Sequence, residues 1–576
     1  MDNNIMNSYL EWLNDDFIDQ TTKDELKSIE NKPEEIEDRF YQELEFGTAG
    51  LRGKIGAGTN RMNIYVISRA THALAQVIKK HGPEYVEKGI AIAYDCRLFS
   101  PEFAMQSALV MAANGIKAYL FESLRPTPEL SYTIRYYGCS SGINITASHN
   151  PKDYNGYKVY WEEGSQIKSD IANLVLEEIS KIKSFADIPV ISEEEARQKG
   201  LLIDIGKEVD DSYINEVMNV SLRDEEIDKS IKIVYTPLNG AGNIPVRRVL
   251  KEKGFDKVYV VKEQENPDGT FPTIEYPNPE DLKAFEYAER LAKDVDADLL
   301  IATDPDCDRL AVQVKHNNKI VPLNGNQTGV ILINYILSAM TEKGLLPRNP
   351  VIVKSIVTGD MGTAIAKDYN VEMINVLTGF KNICALPNEY DKTKEKNFIF
   401  GYEESIGYVI GTFVRDKDAV SASLMLAEAA AYYKEQGKTL VDVLNELFEK
   451  YGYYQEKTIS LVLEGVEGQK RIKRMMEEYR DLYPTAIGSS NLTEMVDYEK
   501  QLSKSLLTNE SLTIDIEKTD AVKFIFDDGC WYALRPSGTE PKIKLYLYSK
   551  APSLEEASNK LIEFETLILE KLHSIK

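Results

Sequence analysis

The segment T-D-P-D-C-D-R, which follows the apolar run A-D-L-L-I-A, places carboxylates at Asp304, Asp306 and Asp308. Alternate positions in an extended loop share one side, so three hard oxygen donors could converge on a hard cation such as Mg²⁺. The other reading is a solvated acidic turn, but three aspartates at the end of a buried strand repel one another unless a cation or basic side chains neutralise them. A calcium-binding EF-hand is excluded, because its sixth position would need Gly and is Arg309, and its twelfth would need Glu and is Lys315.

Two further segments could handle a phosphate. In T-A-S-H-N-P, from Thr146, an apolar run ends in a turn that offers the Ser148 hydroxyl at a loop tip, as a nucleophile or as the cap of a turn or helix. In L-R-P-S-G-T-E-P-K-I-K, from Leu534, Arg535, the hydroxyls of Ser537 and Thr539 and the amides around Gly538 form a compact donor set, with Lys542 and Lys544 on one face of the next strand. Its alternative is a plain turn before a solvated basic strand. G-Y-E-E-S-I-G, from Gly401, sets Glu403 and Ser405 at alternate positions, a carboxylate and a hydroxyl suited to vicinal sugar hydroxyls or simply to water. E-F-G-T-A-G-L-R-G-K-I-G, from Glu45, is not a P-loop: five residues separate Gly47 from Gly53, and Ile55 stands where Ser or Thr would meet Mg²⁺.

The elements that must carry these groups share a pattern. I-A-I-A-Y-D-C-R from Ile90, I-K-I-V-Y-T-P-L-N-G from Ile231 and V-I-V-K-S-I-V-T-G-D from Val351 are β-branched runs, each ending in a small or polar turn. Helix-like stretches follow at Pro101 to Asn114, Asn243 to Lys253 and Met361 to Asp368. Strand, turn and helix in this order predict parallel α/β units, and three of them suggest a repeated domain. The last hundred or so residues read as a smaller α+β unit, with helices over Gly468 to Arg480 and Leu554 to Leu572 and strands at Val522 to Phe526 and Lys542 to Tyr548. Polar stretches at Ile191 to Lys207 and Tyr451 to Lys457 read as joints.

At 576 residues the chain exceeds one hydrophobic core and points to about four domains. A net charge of -24 makes its average surface repel nucleic acid and anionic lipid, and no run of Lys and Arg offsets it, so neither partner is expected. An anionic substrate would need the cations concentrated in one cleft. The acidic amino terminus lacks a secretory pattern, and the longest apolar stretch, near Gly329 to Met340, is too short to span a bilayer. Five scattered cysteines without a C-x-x-C pair read as reduced thiols in a cytoplasm, and the five histidines show no metal-ligand spacing.

In chain order, T-A-S-H-N-P-x-x-Y-N-G-Y-K, D-P-D-x-D-R, T-G-F-K, G-Y-E-E-S-I-G and R-P-S-G-T-E-P resemble the motifs of the α-D-phosphohexomutase family, the phosphoglucomutases and phosphomannomutases, through essentially the whole chain. The resemblance implies an α/β protein of four domains around a central cleft, three similar α/β domains with mixed sheets and a C-terminal α+β phosphate-binding domain, here placed at 1–206, 207–324, 325–451 and 452–576. It implies that Ser148 is the phosphoserine and that Asp304, Asp306 and Asp308 bind Mg²⁺ with a phosphoserine oxygen. It further implies that Glu403 and Ser405 contact sugar hydroxyls, and that Arg535, Ser537, Gly538 and Thr539 hold the nonreacting phosphate. Arg52 and Lys158 fall where the family has proton-transfer or charge-stabilising groups, His149 beside the nucleophile, and Lys381 where it has a sugar-contacting lysine. The implied activity interconverts glucose 1-phosphate and glucose 6-phosphate through glucose 1,6-bisphosphate, which also serves as activator. Pentose or mannose phosphates are the alternatives within this chemistry, and a phosphatase or a silent sugar-phosphate sensor those outside it. Three carboxylates and a phosphoserine around one Mg²⁺ leave the site net negative, so neighbouring cations are expected.

Overall fold

The structure, a computed structural model, describes residues 3–47, 50–463, 465–537 and 542–576. Four sheets organise the chain. The first runs Gly50–Lys54, Tyr154–Trp161, Ser141–Ile145, Ile90–Tyr94, Ala118–Phe121, Leu202–Ile205 across its width, with the last four strands parallel and the first two antiparallel. The second runs Lys319–Leu323, Leu310–His316, Leu299–Thr303, Ile233–Thr236, Val258–Val260, and the third Glu372–Val376, Pro350–Ser355, Asn397–Glu403, Gly407–Ile410. All three are mixed, as expected, because a parallel centre buried on both faces needs continuous apolar strands. Leu299–Thr303 and Ile233–Thr236 are buried along their whole length. The helices Ser100–Ala113, Asn243–Glu252 and Met361–Asp368 follow their strands as the sequence pattern predicts.

The fourth sheet is antiparallel and is covered by the helices Gly465–Asp481 and Leu554–Ser574, whose Met475, Met476, Phe564 and Ile568 share a core with Phe524, Tyr532 and Leu545. It docks on the third unit through specific bonds. The Tyr548 hydroxyl accepts the amides of Asp360 at 2.7 Å and Met361 at 2.9 Å, Trp531 Nε1 donates to Asp360 Oδ2 at 2.8 Å, and Lys523 Nζ donates to the Ile356 carbonyl at 2.8 Å.

Three features depart from the sequence reading. The helices Asn3–Asn14, Gln20–Ser28 and Pro33–Phe40 form an amino-terminal cluster with its own core of Tyr9, Trp12, Leu26 and Phe40 against Tyr65. The two polar stretches read as joints contain regular structure. Leu202–Ile205 is the edge of the first sheet, and Tyr453–Val462 pairs with Lys542–Ala551; both are polar because one face or edge meets water. The second and third sheets share one core, in which the helix Ala419–Glu435 packs on Leu299–Thr303 of one and Gly407–Ile410 of the other. Among the described residues no helix is long and apolar enough to cross a membrane.

Candidate active site

Three site loops leave the carboxyl ends of strands in parallel pairings, where open α/β sheets place their ligands: Ser148 after Ser141–Ile145, Asp304 after Leu299–Thr303, and Glu403 at the end of Asn397–Glu403. The first two meet directly. Ser148 has φ 52°, so the chain turns sharply there, and its hydroxyl donates to Asp304 Oδ2 at 2.7 Å, with His149 Nδ1 at 3.2 Å. Ser148 is therefore not at a solvated loop tip; it is 3% exposed, closed against the aspartate loop.

The aspartates converge by a different geometry from the extended loop expected. Residues 304–308 form a tight turn with Cys307 at φ 52°, and Asp304 Oδ1 accepts the amides of Asp308 at 3.1 Å and Arg309 at 3.0 Å. One oxygen from each of Asp304, Asp306 and Asp308 then lies within 4.8 Å of the others, all buried. Burial, and next the charges of Asp306 and Asp308, push the Asp304 carboxyl well above the usual range. Burial also opposes the charge of Asp306, but the charge and hydrogen bond of Lys158, with the hydrogen bonds of Asp304 and Thr127, together hold that carboxylate low. Asp306 Oδ1 and Asp308 Oδ1 are buried and have no hydrogen-bond partner among the described residues. An all-oxygen donor set with two such orphaned atoms fits a hard cation such as Mg²⁺.

The neighbouring cations that such a site needs are present. Lys158 Nζ is 2.8 Å from Asp306 Oδ2 and 3.8 Å from Asp308, and Lys417 Nζ is 3.1 Å from both Asp308 Oδ2 and Asp416 Oδ1. Lys158 is brought there by strand pairing, opposite Gly50 on one side and Asn144 on the other. Arg52, opposite Gly156 in the same ladder, donates to Asn150 Oδ1 at 3.1 Å, beside the Ser148 turn. Burial, and then the charges of Arg309 and Arg52, keep His149 well below its ordinary range, so its ring is neutral.

The sugar-loop candidates lie next to this centre. Arg309 Nη1 donates to the Ser405 carbonyl at 3.2 Å, and Leu310 N–H to the Ile406 carbonyl at 3.1 Å, so one side-chain and one main-chain bond tie the aspartate loop to G-Y-E-E-S-I-G. Glu403 is buried and accepts the Gly379 amide at 2.6 Å, which fixes T-G-F-K and its Lys381 beside it. Burial lowers the hold of Lys381 on its proton. In the fourth sheet Arg535 pairs with Lys544, its Nη2 is 3.4 Å from the Tyr546 hydroxyl, and its buried Nε has no partner among the described residues. Ser537 N–H donates to the Lys542 carbonyl at 2.8 Å; Gly538 and Thr539 lie outside the described residues.

Several contributors were not read from sequence. Thr127, at the start of the helix Thr127–Tyr137, donates its hydroxyl to Asp306 Oδ2 at 2.9 Å and its amide to the Asp306 carbonyl at 2.9 Å, with Asn144 donating to Thr127 Oγ1 at 2.7 Å. Lys417 and Asp416 bring the third unit onto the first, where Tyr160 donates to Asp416 Oδ2 at 2.8 Å. Asp95 and Arg97, quoted above only as the end of a strand, lie beneath the Ser148 turn.

Four consecutive units, with the Ser148 hydroxyl against a cation-ready carboxylate trio and a separate guanidinium on the fourth, present groups suited to phosphoryl transfer. Family models agree along the chain. The phosphoglucomutase/phosphomannomutase alpha/beta/alpha domains I, II and III match residues 43–186, 211–317 and 324–451, and the C-terminal domain matches 491–558. The chain belongs to the phosphoglucomutase/phosphomannomutase family, and it is an isomerase of the phosphosugar-mutase kind. A phosphoglucomutase of Staphylococcus haemolyticus (strain JCSC1435) is 37% identical over 529 residues, covering 92% of this chain and 94% of that protein. The fold is shared with Paramecium parafusin, a phosphoglucomutase, at TM-score 0.67 and 16% identity over 92% of this chain and 95% of that one. A phosphoglucomutase/phosphomannomutase family protein from Burkholderia thailandensis superposes at TM-score 0.63 and 18% identity, covering 92% and 97%.

Proposed function

We propose that this enzyme interconverts α-D-glucose 1-phosphate and glucose 6-phosphate by passing a phosphoryl group through Ser148. The observation that carries the reading is the Ser148 hydroxyl at 2.7 Å from Asp304, inside the carboxylate trio, while a second phosphate-matched group, Arg535, stands on another unit. A phosphatase needs only the first of these. Asp304, Asp306 and Asp308, with an oxygen of phosphorylated Ser148, would hold Mg²⁺, which when bound neutralises charge on the transferring phosphoryl group.

The chain's own groups divide the remaining work. Ser148 Oγ gives up its phosphoryl group to the free sugar hydroxyl, the P–O bond to Ser148 breaking as the bond to the sugar forms. The hydroxyl proton passes to a base, and Ser148 Oγ, freed of the phosphoryl group, takes up a proton to end as the neutral hydroxyl. Lys158, ion-paired at the aspartate turn, and Lys381, whose proton affinity burial lowers, are the two candidates for that base. Arg52 is the electrostatic clamp and His149 a neutral neighbour of Oγ. Glu403 and Ser405 read sugar hydroxyls, and Arg535 with Ser537, Gly538, Thr539 and Lys542 grips the idle phosphate. The bisphosphate then turns in the cleft, presents its other phosphate to Ser148 and returns the group, and free glucose 1,6-bisphosphate re-primes any enzyme that has lost it.

The units we propose are 1–206, 207–324, 325–451 and 452–576, since each sheet draws its strands from one of these spans. A cytoplasmic setting, in which Cys96, Cys139, Cys307, Cys384 and Cys530 remain thiols, belongs to the same proposal. The deciding experiment ranks kcat/KM for glucose 1-phosphate, mannose 1-phosphate and ribose 1-phosphate, each with its own bisphosphate. Glucose 1-phosphate is expected first by roughly tenfold or more, the cost of an unmet hydroxyl contact; a preference for ribose 1-phosphate would reassign the substrate and leave the phosphoserine chemistry standing.

A further inference from the structure

The nucleophile turn rests on one buried guanidinium. Arg97 is 1% exposed, and its Nη2 donates to the carbonyls of Ser148 and Asn150 at 2.5 Å each, while Nη1 donates to those of Pro151 at 2.8 Å and Tyr154 at 3.1 Å. Four main-chain carbonyls of one short loop thus face a single planar cation, which suits a guanidinium and no other side chain. Asp95 completes the frame: its Oδ2 lies 3.3 Å from Arg97 Nε and accepts the Thr146 hydroxyl at 2.6 Å, and Thr146 Oγ1 in turn accepts the Ser148 amide at 2.8 Å. These bonds hold Ser148 in its left-handed conformation, which residues other than glycine rarely adopt.

The same arginine is where the unit carrying the aspartates seats. Gly269 forms an isolated parallel bridge with Arg97, and a Cβ at Gly269 would stand 2.6 Å from the Cys96 carbonyl oxygen and 2.6 Å from the Leu98 amide. Two residues on, the guanidinium carbon lies 5.1 Å from the centre of the buried Phe271 ring. Arg97 therefore touches both the loop that presents Ser148 and the unit that presents Asp304.

We infer that Arg97 is a positioning residue for phosphoryl transfer: by binding the Ser148 loop on one side and the Gly269 to Phe271 seat on the other, it sets the reach from Oγ to the carboxylate trio. This deepens the proposed function and rests on Ser148 as nucleophile. Phosphoryl transfer depends on in-line placement to within a fraction of an ångström, so its loss should fall on the chemical step, whereas the sugar and phosphate grips on the third and fourth units are untouched.

Two variants test it. Arg97→Lys keeps the charge but cannot reach four carbonyls; Gly269→Ala leaves every Arg97 bond to the loop in place and instead wedges the seat away. In each, kcat is expected to fall at least about tenfold while KM for glucose 1-phosphate stays within about twofold. In magnesium-free protein, amide hydrogen exchange over residues 146–154 is expected to quicken in Arg97→Lys. Wild-type kcat in either folded variant, or a rise in KM without a fall in kcat, overturns the inference, and if Arg97→Lys fails to fold the Gly269→Ala result decides alone. A parallel Ser148→Ala assay separates the two levels: full activity there removes the phosphoserine reading itself, while an inactive Ser148→Ala beside a wild-type Gly269→Ala removes only the role of Arg97.

Discussion

Ser148 donates its hydroxyl hydrogen to Asp304 across a seam between two sheets, 156 residues away along the chain and 2.7 Å away in space. That bond joins the group that would carry the phosphoryl to the group that would carry its counter-ion. Ser148→Ala removes the acceptor oxygen, so turnover is expected to fall by at least about a thousandfold with the fold intact. Intact-mass measurement after incubation with glucose 1,6-bisphosphate checks the cause: wild type gains one phosphate, and the variant none.

The three aspartates oppose one another when no cation is bound. Asp304→Asn removes one of three buried carboxylates at nearly constant shape, so the melting temperature of the magnesium-free protein is not expected to drop. Mg²⁺ should raise the melting temperature of wild type and leave the variant's unchanged, because a ligand stabilises only the state that binds it. The expected loss in kcat is about a hundredfold or more, and EDTA should abolish wild-type activity until Mg²⁺ is restored.

Arg535 has a buried Nε without a partner among the described residues, as a group awaiting an acceptor would. A grip on the idle phosphate acts equally before and during transfer, so Arg535→Met is expected to raise KM by roughly tenfold to a hundredfold with kcat changed only a few-fold. Initial rates over a wide range of glucose 1-phosphate separate the two constants.

Lys523 gives the pH dependence. It lies over the Trp531 ring at 3.9 Å, and burial lowers its pKa to about 8 against 10.5 in the open chain. Between these values the unfolded chain keeps a proton that the folded protein has released, so this residue's contribution to stability rises with pH across the window. Going from pH 8 to pH 10, wild type should gain about 2 kcal/mol over Lys523→Met, read from urea unfolding of both.

The apolar runs at Ile90, Ile231 and Val351 and the helices after them were legible because burial on both faces leaves its mark on every residue of a strand. Ser148, the aspartates and Arg535 were legible because each stands in a dense local cluster of polar groups. Thr127 and Lys417 were not: each is an ordinary residue beside an ordinary proline or aspartate, and acquires meaning only by touching the aspartate turn, which for Thr127 lies 179 residues away. The three amino-terminal helices escaped notice because their short amphipathic stretches become a core only against Tyr65. The tight turn at Cys307 was hidden by spacing, since alternate aspartates fit an extended loop equally well.

The C-terminal sheet meets the third unit at the oxygen of Tyr548, on which the amides of Asp360 and Met361 both end, with the bonds from Trp531 and Lys523 beside it. A phenolic oxygen accepts over a broad range of directions, so both bonds survive a modest tilt about it. Because Trp531 and Lys523 are tied to the same segment, the strand that carries Arg535 and the loops of the third unit stand on one footing, so the proposed phosphate grip and sugar loop keep a common frame of reference.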